Sequence, residues 1–207
     1  MTPPRPHTFH EPHLGPSSIE GRREVLKRGA CACLGASLAT AAIAPAQAQE
    51  GADQRPTKGD RLVAAGADGV PRPLTVADVK LGAKPVQAFP FDPVNKQVRD
   101  GSRFNKILLV RLDPTSVEAT TKARAADGVV AFSAVCTHQG CDVTEWIDAD
   151  KALMCFCHFS RFDPARGAQV IAGPAPRSLP ALPLTIDRGQ LMVAGPFTSS
   201  PGTKTST

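Results

Sequence analysis

Aromatic residues are scarce in this chain, at 5% of 207 residues, with no tyrosine and a single tryptophan. No run of lysine and arginine is interleaved with aromatic rings, which argues against the charged stacking surfaces that hold nucleic acid. Beyond the first 50 residues no apolar run reaches the roughly 20 residues that a membrane-crossing helix requires. Helical patterning is equally thin. Twenty prolines and 17 glycines punctuate the chain, and apolar residues come in short runs, not at three- and four-residue spacing. The expectation is a loop-rich β domain, with room for one domain plus flanking segments. The formal net charge of +5 adds little, because the first 48 residues hold five Lys/Arg against three Asp/Glu. The remainder is mildly cationic, as a solvated surface is.

What is present begins with an address. Arg22 and Arg23 stand two positions ahead of the apolar pair Val25 and Leu26, and no charge occurs from Gly29 to Gln49. That stretch is rich in Ala and Gly, only weakly hydrophobic, and ends in an A-x-A pattern at Ala46–Ala48. It resembles a twin-arginine export signal, which carries folded and often cofactor-loaded proteins out of the bacterial cytoplasm. Cleavage is expected after Ala48, because Pro45 and the small residues make a poor permanent anchor. Membrane contact is expected only if the segment is retained. The mature part is expected to be a soluble periplasmic protein, in a compartment where disulfides persist.

Residues 49–75 are rich in Gly, Asp and Arg and read as a linker or an extended arm. From there short apolar runs of strand length alternate with turns, at 85–91, 106–112, 128–135, 152–156, 182–186 and 190–195. Residues 186–191 read as a hairpin turn, 113–128 as an exposed connection with room for one helical turn, and 197–207 as a polar tail. The expected fold is all-β, a small antiparallel domain over 76–196.

Cysteine and histidine carry the chemical signal. Cys31 and Cys33 lie in the export segment, and His7, His10 and His13 lie before it. The remaining four cysteines and two histidines all fall within residues 136–158, in "CTHQGC" (136–141) and "CFCHFS" (155–160). Six chance core residues in 23 positions would be a rare coincidence. Two metal readings stay open on residue types alone. Four thiolates suit a structural zinc site, whereas C-x-H and C-x-x-H, one in each loop, suit two Cys on one iron and two His on the other.

The two boxes resemble the C-T-H-x-G-C and C-x-C-H-x-S boxes of Rieske iron–sulfur proteins, over roughly residues 76–196. The resemblance implies a Rieske fold, a β sandwich or barrel with an inserted cluster-binding part, about 132–177, built from two loops and a Pro loop. It implies a 2Fe-2S cluster with Cys136 and Cys155 on one iron, His138 and His158 on the other, and a Cys141–Cys157 disulfide. The Pro loop matches "GPAP", beginning at Gly173 and Pro174. Two imidazoles in place of thiolates lower the cluster's negative charge and raise its potential to about −150 to +300 mV, against about −400 mV for all-cysteine plant-type clusters. Ser160 matches a serine whose hydroxyl donates to a bridging sulfide and stabilises the reduced state. Phe162 stands where the highest-potential members carry a tyrosine donor, so a potential below the top of that range is expected.

Within that group, residues 157–180 and 78–93 look like arsenite-oxidase small subunits, which share HF[ST]-x-FD in place of HGS-x-YD. This resemblance implies an electron relay between a large molybdopterin-type catalytic subunit and a cytochrome c, with no substrate chemistry of its own. The alternative is the Rieske subunit of a cytochrome bc-type complex; Phe159, Phe162 and the weak anchor stand against it. A structural zinc module acting only in binding is the third possibility.

Overall fold

Two runs of the sequence are almost unbrokenly apolar, and the reason is burial on both sides. In the computed structural model, which describes residues 51–67 and 69–203, β4 (Ile107–Arg111) and β5 (Val129–Ser133) pair antiparallel, with Leu109 opposite Ala131. Ile107, Leu109, Val129 and Ala131 join one core with Leu62, Leu191 and Val193. Leu108, Val110, Val130 and Phe132 join a second core with Val143, Leu153 and Phe162. A strand covered on both faces has no solvent side on which to place polar residues, so alternation disappears.

The first core lies inside a seven-stranded antiparallel sheet. Its other strands are β1 (Arg61–Ala64), β2 (Val86–Asp92), β3 (Gln97–Val98), β10 (Leu184–Asp187) and β11 (Gln190–Val193). The order is β10-β11-β1-β2-β4-β5, with β3 on β2. Residues 180–182, just ahead of β10, return to β5 through Ser133 N–H to the Pro180 carbonyl (2.8 Å) and Leu182 N–H to the Ala131 carbonyl (2.9 Å). The sheet thereby curls towards closure, which protects its edge. Arg188 and Gly189, at φ 49° and 76°, make the hairpin expected at 186–191; both central residues are left-handed, as a two-residue type I′ turn demands.

The second core is roofed by a four-stranded meander, β6 (Val143–Ile147), β7 (Ala152–Cys155), β8 (Ser160–Asp163) and β9 (Gln169–Ala172). Helix is confined, among the described residues, to residues 51–53, one turn at Ala119–Lys122 within the expected exposed connection, and three short 3-10 turns. No helix among them is long and apolar enough to cross a membrane. The all-β expectation holds.

Two boundaries differ from those expected. The linker proposed for 49–75 contains β1, which lies between β11 and β2 with Leu62 opposite Pro90 and wholly buried. Four residues are too short a run to stand out among so many Gly and Asp, and β1 owes its order to the strands on either side. The polar tail proposed for 197–207 is docked as far as it is described. Phe197 packs on the first core, and Thr198 exchanges hydrogen bonds with Ala181 at 2.9 and 3.0 Å. The export-signal reading, at 1–48, lies outside the described residues.

Candidate functional site

The strand β5 runs out of the barrel directly into residues 136–142, and the backbone folds this loop on itself. Cys136 N–H donates to the Cys141 carbonyl (2.8 Å) and Gly140 N–H to the Cys136 carbonyl (3.0 Å). Gly140 takes φ 78° to make the reversal. The barrel grips the loop from below. Lys106 Nζ donates to Asp142 at 2.8 Å, and Arg103 Nη2 donates to Asp142 at 3.0 Å and to the Gly140 carbonyl. These two cations, outweighing the effect of partial burial, hold the Asp142 carboxyl below its ordinary range.

The second loop, 156–159, is the turn of the β7–β8 hairpin, closed by the pair Cys155 and Ser160. Phe159 sits there at φ 58°, a conformation uncommon for a bulky residue. The third loop follows β9. Gly173 is at φ 84°, and a Cβ on it would lie 2.5 Å from Ser160 Cα and 2.8 Å from Ser160 N, so only glycine lets the loop approach β8 this closely. Ala175 N–H then donates to Ser160 Oγ at 3.1 Å, which pins the loop. Pro174 is exposed beside it.

The three loops bring the six Cys and His side chains together. Cys141 and Cys157 are joined in a disulfide, while Cys136 and Cys155 are free thiols buried in the second core. The His138 and His158 rings meet edge-on with centroids 4.6 Å apart. Burial pushes the Cys136 thiol up to about 11, the neighbouring Cys155 thiol adds to this, and the Ser160 side chain acts in the opposite sense. A buried thiolate therefore needs a cation beside it. His138 is half-buried, and its Nδ1 is fully buried without a hydrogen-bond partner, whereas His158 is exposed. Two buried thiols, a buried unpartnered imidazole nitrogen and a second imidazole against it are a donor set that fits a metal centre. Cys155 Sγ also lies within 4.8 Å of the Cys141 and Cys157 sulfurs, but those two are spent in the disulfide. Four free donors remain, two sulfur and two nitrogen.

Ser160 is fully buried between the Cys136 thiol and the third loop, and its oxygen accepts from Ala175. Phe162, also fully buried, packs in the second core opposite Leu153. Several further participants carry no motif in the sequence. Thr137 donates from Oγ1 to the Arg177 carbonyl at 2.6 Å and so ties the first loop to the third. Lys106, Arg103 and Asp142 lie up to 39 residues apart, and no local pattern joins them. Phe156 and Phe159, 65% and 57% exposed with ring centroids 5.5 Å apart, flank His158. Of the two, Phe159 carries a sequence signal, its departure from the glycine of HGS-type boxes.

Residues 96–183 match the family model of the Rieske 2Fe-2S domain. A Haloferax mediterranei protein named as the Rieske subunit of a respiratory nitrate reductase is 46% identical over 106 residues, covering 50% of this chain and 47% of that protein. The cytochrome bc1 complex Rieske iron-sulfur subunit of Streptomyces lividans is 38% identical over 93 residues, 44% of this chain and 55% of that one. The chain thus spans about half the length of these two curated relatives, and about a quarter of longer ones such as the Streptomyces coelicolor subunit. A cyanobacterial plasma membrane Rieske protein from Synechocystis PCC 6803 superposes with a TM-score of 0.37 at 25% identity, over 57% of this chain and 93% of that one.

Proposed function

Starting from residues 96–183 as a Rieske 2Fe-2S domain, we propose that the chain is an electron-transfer subunit. Cys136 and Cys155 would hold one iron of the cluster and His138 and His158 the other. The carrying observation is the convergence of two buried free thiols with two imidazoles in edge contact, one half-buried and one exposed. When bound, the cluster supplies reversible one-electron chemistry at the raised potential that imidazole ligation gives. The chain's own residues do the rest. The buried thiols and the second core exclude water from the inner side. His158 is the more exposed of the two imidazoles, and the uncharged rings of Phe156 and Phe159 border it as a contact surface for the redox partner. Ser160, held by Ala175 N–H, can turn its hydroxyl proton towards the sulfur side. Phe162 offers no hydroxyl there, so a midpoint below that of tyrosine-containing relatives is expected, and Phe162→Tyr should raise it.

We further propose that this is the small subunit of a periplasmic molybdenum-type oxidoreductase, arsenite-oxidase-like, passing electrons to a cytochrome c. Two observations support this reading: the "HFSRFD" pattern, with the exposed Phe159 where HGS-type boxes carry glycine, and the higher identity to a protein named for a nitrate reductase than to a bc1 subunit. Arg22 and Arg23 together with the Cys141–Cys157 disulfide support export. The bc-type role is the second reading, favoured by the several bc1 subunits among the matches. Purification from the native host tests all of this at once. A large catalytic subunit co-purifying with a protein that shows a rhombic EPR signal on reduction is the expected result. A cytochrome b in its place would select the bc-type role, and colourless zinc-loaded protein would overturn both.

A further inference from the structure

The C-terminal residues past β11 do more than finish the barrel. From Thr198, bonded to Ala181, the chain runs to Gly202 beneath the first loop, where Pro201 and Gly202 are buried. Gly202 stands at φ 81°, and a Cβ on it would meet Phe104 at 2.8 Å and Val135, the residue before Cys136, at 3.6 Å. Along this path one side chain collects the strap. Arg177, in the third loop, donates through Nη1 to Ser199 Oγ (3.1 Å) and through Nη2 to the carbonyls of Ser200 (2.7 Å) and Gly202 (2.6 Å). The planar fork of arginine suits three acceptors on one wrapped segment in a way that a lysine point charge does not. The Arg177 carbonyl in turn accepts from Thr137 Oγ1 at 2.6 Å, and Thr137, nearly inaccessible at 1% exposure, lies between Cys136 and His138.

We propose that residues 199–202 are a strap that positions the Cys136/His138 loop from a distance, acting through Arg177 and Thr137. Arg177 is a positioning residue; it touches neither thiol nor imidazole. The inference rests on the first loop being a ligand loop only in its consequence for the cluster, since the bonds themselves are independent of that reading. Its place in the molecule is distinct from the other grip on the same loop, that of Arg103 and Lys106 on Asp142, which comes from the barrel.

The test uses the full-length cluster-loaded protein with Arg177→Ala, a chain ending at Thr198, and the two changes combined. Ending at Thr198 keeps the bonds to Ala181 and so spares the barrel. Native-state hydrogen exchange is read at the amides of Cys136 and Gly140, both bonded inside the loop, and at those of β10–β11 as the control. Each single change should speed exchange at the two loop amides by about tenfold or more, with the control amides unchanged, because loss of bonds to a charged donor lowers the local opening energy. Adding Arg177→Ala to the shortened chain should change nothing further. The EPR g values of the reduced protein should move in the same direction in both single variants. Unchanged loop exchange, additive effects of the two changes, or g values identical to the parent's would each overturn the proposal. A colourless protein with the expected exchange pattern would overturn the cluster assignment while leaving the strap in place.

Discussion

The barrel and the meander that sits on it are built from the same strand pairing, yet they differ in the chemistry they leave available. In the barrel the inner positions are aliphatic and its principal buried charge is fully paired. Arg99, 4% exposed, donates to Asp60 through Nε (2.8 Å) and Nη2 (3.1 Å) and reaches Gln54, Thr57 and Asp92 besides. In the meander the loops keep a bulky residue at positive φ, two exposed phenylalanines and an imidazole nitrogen with no partner. One region is finished without a ligand; the other is arranged for one. Left-handed side chains occur in both regions, at Lys96, Asp127 and Arg188 beside the barrel strands and at Lys151, Phe159 and Ala168 in the meander. Asn105 Oδ1 in the barrel is also unpartnered; the meander's side differs in setting an unpartnered imidazole beside two free thiols.

The comparison breaks most visibly at Arg99. Replacing it by methionine leaves Asp60 buried and unpaired, a loss of about 3–5 kcal/mol, which urea unfolding should record. Because the network also gathers Gln54 and Thr57, the residues ahead of β1 should lose protection with it. A loss below about 1 kcal/mol, the range of an exposed ion pair, would mean that the barrel's polar centre is as loosely held as the meander's loops.

On the meander side the matching change is Cys141→Ser with Cys157→Ser. The disulfide spans 16 residues, and releasing it should destabilise by about 3 kcal/mol on the chain-entropy argument. The effect should be local: visible absorbance decays on standing while far-UV circular dichroism of the strands persists. Simultaneous loss of both signals would show that the two regions unfold as one, and that the contrast drawn between them holds for chemistry only.

Legibility in the sequence follows the same division. The runs at 106–112 and 128–135 are visible because burial on two faces makes β4 and β5 apolar throughout, and β10–β11 because a left-handed pair marks their turn. β6, β8 and β9 are not legible in this way. "SRFD" and "QVIA" are short, and β8 holds its place by pairing with β7 and through Ser160, whose residues read as motif and not as strand. The Cys and His residues are legible as chemistry from spacing alone, since chance burial does not crowd six such side chains into 23 positions. Their supports are not. Thr137 meets Arg177 across 40 residues and Lys106 meets Asp142 across 36, and contacts at that separation leave no periodic trace.

A smaller change sharpens the contrast by reversing the sign. Phe159 is held at φ 58°, where an L side chain with a Cβ is disfavoured by roughly 1–2 kcal/mol. Phe159→Gly should therefore stabilise the meander and raise its thermal midpoint, by a net of up to about 1 kcal/mol once glycine's greater freedom in the unfolded chain is set against it. The same variant removes half of the exposed aromatic pair, so it should bind its redox partner less tightly while being the more stable protein. A variant that is both less stable and weaker in binding would show that the Phe159 ring is a packing residue and not a contact surface.

The smallest effect lies at the junction of the two regions. Asp142 is held below its ordinary carboxyl range by Lys106 and Arg103 against the opposing effect of its partial burial. A folded-state pKa depressed in this way means that the carboxylate contributes stability above its unfolded value of about 3.9, and that the contribution fades as pH falls through the folded value. The side chain is 36% exposed, so solvent screening limits the contribution to well under about 1 kcal/mol. Asp142→Asn should accordingly lower the thermal midpoint slightly at pH 7 and approach the parent progressively as the pH falls below about 4, with the difference at pH 7 shrinking in high salt. The change should be felt first at the Gly140 amide, because Arg103 grips the Gly140 carbonyl and Asp142 together. A difference that persists unchanged at about pH 3, below the unfolded carboxyl value, would assign Asp142 a packing role and leave Arg103 and Lys106 without an electrostatic part in holding the loop to the barrel.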